Sequence, residues 1–294
     1  MPKYAVIDLG TNTFHLLIAE RNDGGAWTTV LRERVFVRMA EDGIDRIGPA
    51  AYARGQETLR GFAQQLEVHG VSVESVLAYG TEALRSAGNA DAFLEDIYRH
   101  TGIRAEVIDG KREAELIFQG VFQAVPFPNN RVLVMDIGGG SVELILAEAD
   151  QVLWQQSFPI GVAVLLRRFH KSDPIAPEEI RAVLDYLDEV LAELWILLER
   201  YPTPTLVGAA GAFDTIDNLL LDPATKPPLY GWVSIADFEK LYERILRSSL
   251  AERESWEKLA PERRQMIVVG MLLIRRVLER GGMREIYTSE YAMK

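Results

Sequence analysis

Asp136-Ile137-Gly138-Gly139-Gly140-Ser141-Val142-Glu143 decides the reading of this chain, because an earlier stretch repeats it. Ala5-Val6-Ile7-Asp8-Leu9-Gly10-Thr11-Asn12-Thr13-Phe14-His15-Leu16-Leu17-Ile18-Ala19-Glu20 lies without a gap on Leu133 to Glu148. The offset is constant at 128 positions, 136 against 8. Asp, Gly, a hydroxyl residue (Thr13, Ser141), a Leu and the closing Ala-Glu all recur. One pattern heading each half of the chain points to duplicated architecture.

Both copies read as apolar strand, Asp-Leu/Ile-Gly turn and second apolar strand. P-loops and dinucleotide fingerprints place their Gly-rich turn between a strand and a helix, and the P-loop ends in Gly-Lys-Ser/Thr. No Lys follows here, and Val142 to Ala147 is too β-branched and aliphatic to open a helix, so each turn joins two strands. The N–H groups of Gly10, Thr11, Asn12 and Thr13, and of Gly138, Gly139, Gly140 and Ser141, can converge on an anion in such a turn. Thr13 and Ser141 add hydroxyl donors, while Asp8 and Asp136 can hold a metal or position water. Ordinary hairpins use Gly, Asn and Asp for conformational reasons alone. An Asp at the end of a buried strand is costly unless it is bonded, and finding it twice favours the anion-binding reading. Two such turns imply a cleft between two related domains.

Composition narrows the chemistry. The 294 residues carry 32 Lys plus Arg against 43 Asp plus Glu, a net charge of −11, and contain no Cys. Disulfides, thiolate metal sites and a Cys nucleophile are thereby excluded. The four His (15, 69, 100 and 170) are too scattered for an HExxH zinc helix, so any metal is expected to be oxygen-ligated. Clustered basic charge for a nucleic-acid groove is missing. The N-terminus lacks a signal-peptide stretch, and the longest apolar run, Met266 to Ile274, is too short to span a bilayer. A soluble cytoplasmic protein is expected.

The pattern predicts helices over 49–69, 91–100, 110–124, 177–200, 234–247 and 261–280, a turn-helix segment over 81–89, strands over 27–39, 75–79, 104–108, 152–158 and 284–288, and over 205–211 a strand leading into a small-residue turn and a helix. Three strands in a meander followed by alternating helices and strands, twice over, is an α/β plan. The breaker run Val125-Pro126-Phe127-Pro128-Asn129-Asn130 marks the expected boundary between domains 1–124 and 125–294.

Outside the turns, Glu113 falls in the first turn of the helix after Gly110. It either complements that helix terminus or orients and deprotonates a water. Glu143 lies two residues past Ser141 on the same strand face, as a metal-holding carboxylate or a solvated one. His15, at the same step of the first copy, reads as a packed side chain. Arg85 follows a strand and a Gly, as an anion contact or a salt bridge; Arg38, Arg263 and Arg264 are weaker candidates for that role.

At these residues the chain resembles the exopolyphosphatase / guanosine pentaphosphate phosphatase (Ppx/GppA) family, of the actin, sugar kinase and Hsp70 ATPase superfamily. Asp8 to His15 and Asp136 to Leu144 are similar to the family's two phosphate segments. Gly80-Thr81-Glu82-Ala83-Leu84-Arg85 with Asn89 resembles the segment whose Arg faces substrate. Glu113 takes the place of the family's proposed catalytic Glu, with Arg112 replacing the preceding acid. Departures are Gly211-Ala212 for the usual Gly-Thr, one extra residue over Arg38 to Gly43, and an end at Lys294 without the helical extension of long members.

The resemblance implies two related actin-like (ribonuclease H-like) α/β domains with a cleft between them. It implies a phosphohydrolase that releases terminal phosphate from inorganic polyphosphate or pppGpp, without processive digestion of long chains. Glu113 is the expected catalytic residue. Gly10, Thr11, Asn12, Thr13, Arg85, Gly138, Gly139, Gly140 and Ser141 are expected to bind phosphate, and Asp8, Asp136 and Glu143 a Mg2+ ion, with Mn2+ as the substitute. The expected partner is a small polyanionic substrate, with no nucleic acid and no membrane; a homodimer is a compatible assembly. A non-catalytic sensor and an actin-like kinase are the alternatives.

Overall fold

Residues 2–25, 27–127 and 131–293 are described in this computed structural model. They form two units, Met1–Glu113 and Ala114–Met293.

The first unit opens with β1 (Lys3–Leu9), β2 (Thr13–Arg21) and β3 (Trp27–Phe36) as an antiparallel meander. Helix α1 (Pro49–Val68) follows with Pro at its first turn, where the missing N–H costs nothing. Strand β4 (Val76–Gly80), helices α2 (Glu82–Ser86) and α3 (Ala90–Thr101) and strand β5 (Ala105–Val107) complete it. The sheet order is β3-β2-β1-β4-β5, with β4 parallel to both β1 and β5. Ile7, Leu9, Phe14, Leu16 and Ile18 pack with Leu59, Phe62, Phe93 and Ile97 on one face of the sheet. Burial therefore alternates along β1 and β2, the period-2 signature of a sheet covered on one side.

Helix α4 (Gly110–Ala124) begins in the first unit and continues in the second. Ala114, Ile117, Phe118 and Val121 pack with Val132, Val134, Ile145 and Ala147, which ties the body of this helix to the second core. The proposed bounds of 1–124 and 125–294 place the whole helix in the first domain, whereas the units divide it after Glu113. The reason is this apolar stripe. Pro128, Asn129 and Asn130 of the breaker run lie outside the described residues.

The second unit repeats the plan: β6 (Arg131–Ile137), β7 (Val142–Glu148) and β8 (Gln151–Phe158) form a meander, followed by α5 (Val162–Phe169), α6 (Pro177–Val190) and α7 (Ala192–Arg200). Then come β9 (Thr205–Ala209), α8 (Gly211–Leu220), β10 (Tyr230–Ser234), α9 (Ile235–Arg247), α10 (Leu250–Glu254), α11 (Ile267–Gly281) and β11 (Glu285–Ser289). The sheet order is β10-β11-β9-β6-β7-β8. Its β8-β7-β6-β9-β11 part matches the first sheet strand for strand, parallel pairs included. Both faces of β6 and β7 are covered, by Leu133, Met135 and Leu144 in one core and Val134 and Ile145 in the other. That is why these strands read as unbroken apolar runs rather than alternating ones.

Three differences from the sequence pattern appear. The helix expected over 177–200 breaks at Leu191, close to where the Trp195 indole N–H donates to the Asp188 carbonyl at 3.3 Å. The helix expected from Pro261 opens as a 3-10 turn and becomes α-helical at Ile267. Helices α5 and α10 and the edge strand β10 have no counterpart in the expected elements; all three are short.

Candidate active site

The two turns have the same geometry. In the first, Gly10 N–H donates to the Thr13 carbonyl at 3.1 Å; in the second, Gly138 N–H donates to the Ser141 carbonyl at 3.0 Å. Asp8 pairs across its strands with His15, and Asp136 with Glu143, so the 128-residue offset holds in register as well as in sequence. A Cβ on Gly10 would stand 2.9 Å from the Thr13 oxygen, and one on Gly138 3.1 Å from the Ser141 oxygen. Close approach to turn backbone favours glycine at both, more strictly at Gly10.

Turn carbonyls are taken from one side in each unit. Asn12 O accepts from the amides of Val37 (2.8 Å) and Arg38 (2.9 Å), and Thr11 O from Met39 (2.7 Å). In the second unit, Gly140, Gly138 and Gly139 carbonyls accept from Gly161, Val162 and Ala163 at 2.9, 3.0 and 2.9 Å, which seats the start of α5 on the turn. The amides of Thr11, Gly139 and Gly140 donate to no acceptor among the described residues. Thr11 and Gly140 are buried. Buried N–H groups left open in a glycine-rich turn are the feature that receives an anion.

In the first unit the parallel strands β1, β4 and β5 end in one row, Leu9 beside Gly80 beside Val107. Ligands of open α/β sheets bind at such carboxyl ends. There, α2 carries Arg85 and the first turn of α4 carries Glu113. Asp109 caps α4 by accepting the Arg112 amide at 2.7 Å, which fixes the direction in which Glu113 leaves the helix. Arg85 Nη1 donates to Glu113 Oε2 at 2.6 Å and to the Ile108 carbonyl at 3.0 Å. Its Nη2 donates to Glu82 Oε2 at 2.8 Å. Burial disfavours the Arg85 charge, yet the Glu113 and Glu82 carboxylates outweigh it and raise its pKa above the ordinary value. Glu113 is only 7% exposed. The sequence offered Arg85 either an anion or a salt bridge; the structure shows the salt bridge, made to Glu113 itself.

In the second unit Asp136, Glu143 and Ser157 form one cross-strand row on β6, β7 and β8. Directly opposed residues share a face, so the two carboxylates stand side by side. Glu143 is 1% exposed and accepts from Ser157 Oγ at 2.7 Å; Asp136 and Ser141 are also buried. Two adjacent buried carboxylates are a poor apolar-core feature and a good oxygen donor set for a hard divalent cation. Among the described residues no three His, Cys, Asp or Glu side chains form a metal-holding group. The loop after β9 comes up against the end of β6. Ala210 and Gly211 have φ of +54° and +53°, and a Cβ at Gly211 would lie 2.2 Å from the Ile137 oxygen.

Sequence reasoning missed Glu82, Ser157 and Gly161. Glu82 had a signal, its i,i+3 spacing from Arg85. Ser157 and Gly161 had none, because only strand pairing and the docking of α5 bring them to Glu143 and the turn.

A three-strand meander continued by parallel strands, occurring twice with one turn geometry, is the actin-like ATPase plan. The chain belongs to the Ppx/GppA phosphatase family, whose model matches residues 17–294. A guanosine-5'-triphosphate,3'-diphosphate pyrophosphatase of Aeromonas salmonicida is 30% identical over 285 residues, covering 95% of this chain and 55% of its own. An exopolyphosphatase 1 of Mycobacterium leprae is 28% identical, over 92% of this chain and 81% of its own. The crystal structure of an exopolyphosphatase from Cytophaga hutchinsonii superposes with a TM-score of 0.93 at 36% identity, over 99% of this chain and 95% of that one. The chain thus spans about half the length of the Aeromonas relative.

Proposed function

We propose that this protein is a phosphohydrolase that releases the terminal phosphate of a phosphoanhydride, with short inorganic polyphosphate or pppGpp as substrate. The observation that carries this reading is the buried Glu113 carboxylate, held at 2.6 Å by Arg85 at the strand ends of the first unit. Backbone amides of the Asp8–Thr13 and Asp136–Ser141 turns hold phosphate oxygens, with Thr13 and Ser141 as hydroxyl donors. Arg85 offsets substrate charge and keeps Glu113 in one rotamer. Glu113 aligns a water for in-line attack on the terminal phosphorus and accepts its proton as the bridging P–O bond breaks. Fixed donors aimed at developing charge supply much of the rate enhancement in such chemistry.

Asp136 and Glu143 fit a Mg2+ ion by donor type and adjacency, with Mn2+ as a substitute, and Asp8 is the metal-type carboxylate of the first unit. Such an ion keeps most of its waters, needs only one or two carboxylates, and neutralises charge on phosphate oxygens when bound. No described helix is long and apolar enough to cross a membrane; a cytoplasmic location and a homodimer complete the reading.

Phosphate release from tripolyphosphate, long-chain polyphosphate, pppGpp and ATP, with and without Mg2+, tests the proposal. Glu113→Gln is expected to lower kcat by at least about 100-fold and to leave substrate binding near wild type. Near-normal turnover in that variant, or binding of every substrate without release, would refute it. The second outcome identifies a sensor, and ATP consumption that needs an added acceptor identifies a kinase.

A further inference from the structure

The two phosphate-type turns are backed differently. In the second unit the residues that donate to the turn carbonyls begin helix α5, so the positive end of a helix stands behind that turn. In the first unit the corresponding donors are Val37, Arg38 and Met39 of an irregular segment. Val37 and Met39 are buried, and Arg38 between them is exposed. Arg38 adopts φ +55°, a left-handed conformation that glycine enters freely and a residue with a Cβ does not. Its guanidinium carbon lies 4.9 Å from the centre of the Phe36 ring. Phe36 pairs directly across the sheet with Thr13, the hydroxyl residue of the turn, and shares its face. Among the described residues no carboxylate reaches the Arg38 guanidinium. The nearby Glu41 is engaged by Arg54 at 2.8 Å. A cation is thus fixed beside the first turn by three backbone bonds and an aromatic shelf, with its donors open.

We propose that Arg38 is a substrate-binding residue of the first unit, and that its guanidinium takes phosphate oxygens of the polyanion next to the phosphate held by the Gly10–Thr13 turn. It supplies there the positive charge that the start of α5 supplies in the second unit. This rests on the phosphohydrolase reading above.

Arg38→Gly removes the cation and gives the left-handed position the residue it favours, so the test separates binding from folding. With tripolyphosphate as substrate, KM rises about tenfold or more in Arg38→Gly, the loss expected for a charge-assisted contact. Its kcat stays within about twofold, Tm equals or exceeds wild type, and the salt dependence of KM becomes shallower. Arg38→Lys keeps a point charge and recovers most of the affinity. An unchanged KM in a stable Arg38→Gly protein overturns the inference, as does a KM rise accompanied by a fallen Tm and an unchanged salt dependence. Wild-type protein that releases no phosphate defeats the phosphohydrolase reading instead. Direct calorimetric binding of tripolyphosphate then decides Arg38 separately, weaker binding by Arg38→Gly supporting it and equal binding overturning it.

Discussion

Replacing Gly161 by Ala adds one methyl group at the point where α5 meets the second turn. The new Cβ would stand 2.4 Å from both the carbonyl carbon and oxygen of Gly139, and 2.5 Å from the carbonyl carbon of Gly140. All are backbone atoms, so no side-chain rotation relieves the overlap. Restoring ordinary contact at 3.4 Å requires helix and turn to separate by about 1 Å. The three bonds that seat α5, now 2.9 to 3.0 Å, would stretch towards or beyond hydrogen-bonding distance. Overpacking of this kind costs about 1–3 kcal/mol, which for a unit of this size lowers Tm by about 2–12 °C. The functional loss is larger, because displacing a reacting group by about 1 Å costs about 100-fold in rate. Thermal melts and phosphate release from tripolyphosphate should be measured on Gly161→Ala beside Gly61→Ala, whose added methyl meets nothing within 4 Å. Gly61→Ala is expected to match or exceed wild type in both. If Gly161→Ala retains wild-type Tm and kcat/KM, then α5 does not hold the turn in place and the argument from its three bonds fails.

Other expectations concern the second unit's own stability. Burial of Glu179 works to raise its pKa, but donation from the Ser172 hydroxyl and the amides of Ala176, Lys171 and Ser172 outweighs it and holds the carboxyl at about 2. A depressed folded pKa stabilises above the unfolded value, ordinarily 4.5, and that stability is lost as pH falls towards about 2. Glu179→Gln should flatten the dependence of Tm on pH across this window; melts with the wild-type slope would contradict it. Arg253 is 1% exposed and donates to the carbonyls of Arg264 (2.7 Å) and Ser248 (2.5 Å). Arg253→Met leaves those oxygens unsatisfied, at about 2–4 kcal/mol, and a denaturant midpoint equal to wild type would show that they find other donors.

Part of the candidate site was legible because it is local. Asp8 to Thr13 and Asp136 to Ser141 each lie within six consecutive residues, and a hairpin's closing bond depends on little beyond those residues and their two strands. Glu113 was legible as a residue in the first turn of a helix, but nothing nearby in sequence identified its partner. Arg85 lies 28 residues away and reaches it because β4 and β5 run parallel and end in the same row. The divided helix α4 teaches the same point: its stripe of Ala114, Ile117, Phe118 and Val121 showed a helix, not which core would receive it.

The amino-acid sequence by itself determined that two strand–turn–strand units recur 128 residues apart, that no thiol chemistry is available, and that a chain of net charge −11 offers no bulk attraction to an anion. These properties are composition and short-range geometry, which follow from residue identity and order. Tertiary structure alone decided that Arg85 neutralises Glu113, that Ser157 donates to Glu143, that α5 sits on one turn, and that Arg38 stands beside the other. Each of those contacts joins elements whose adjacency is set by sheet order and helix docking, and such long-range pairing appears only once the chain has buried its apolar faces.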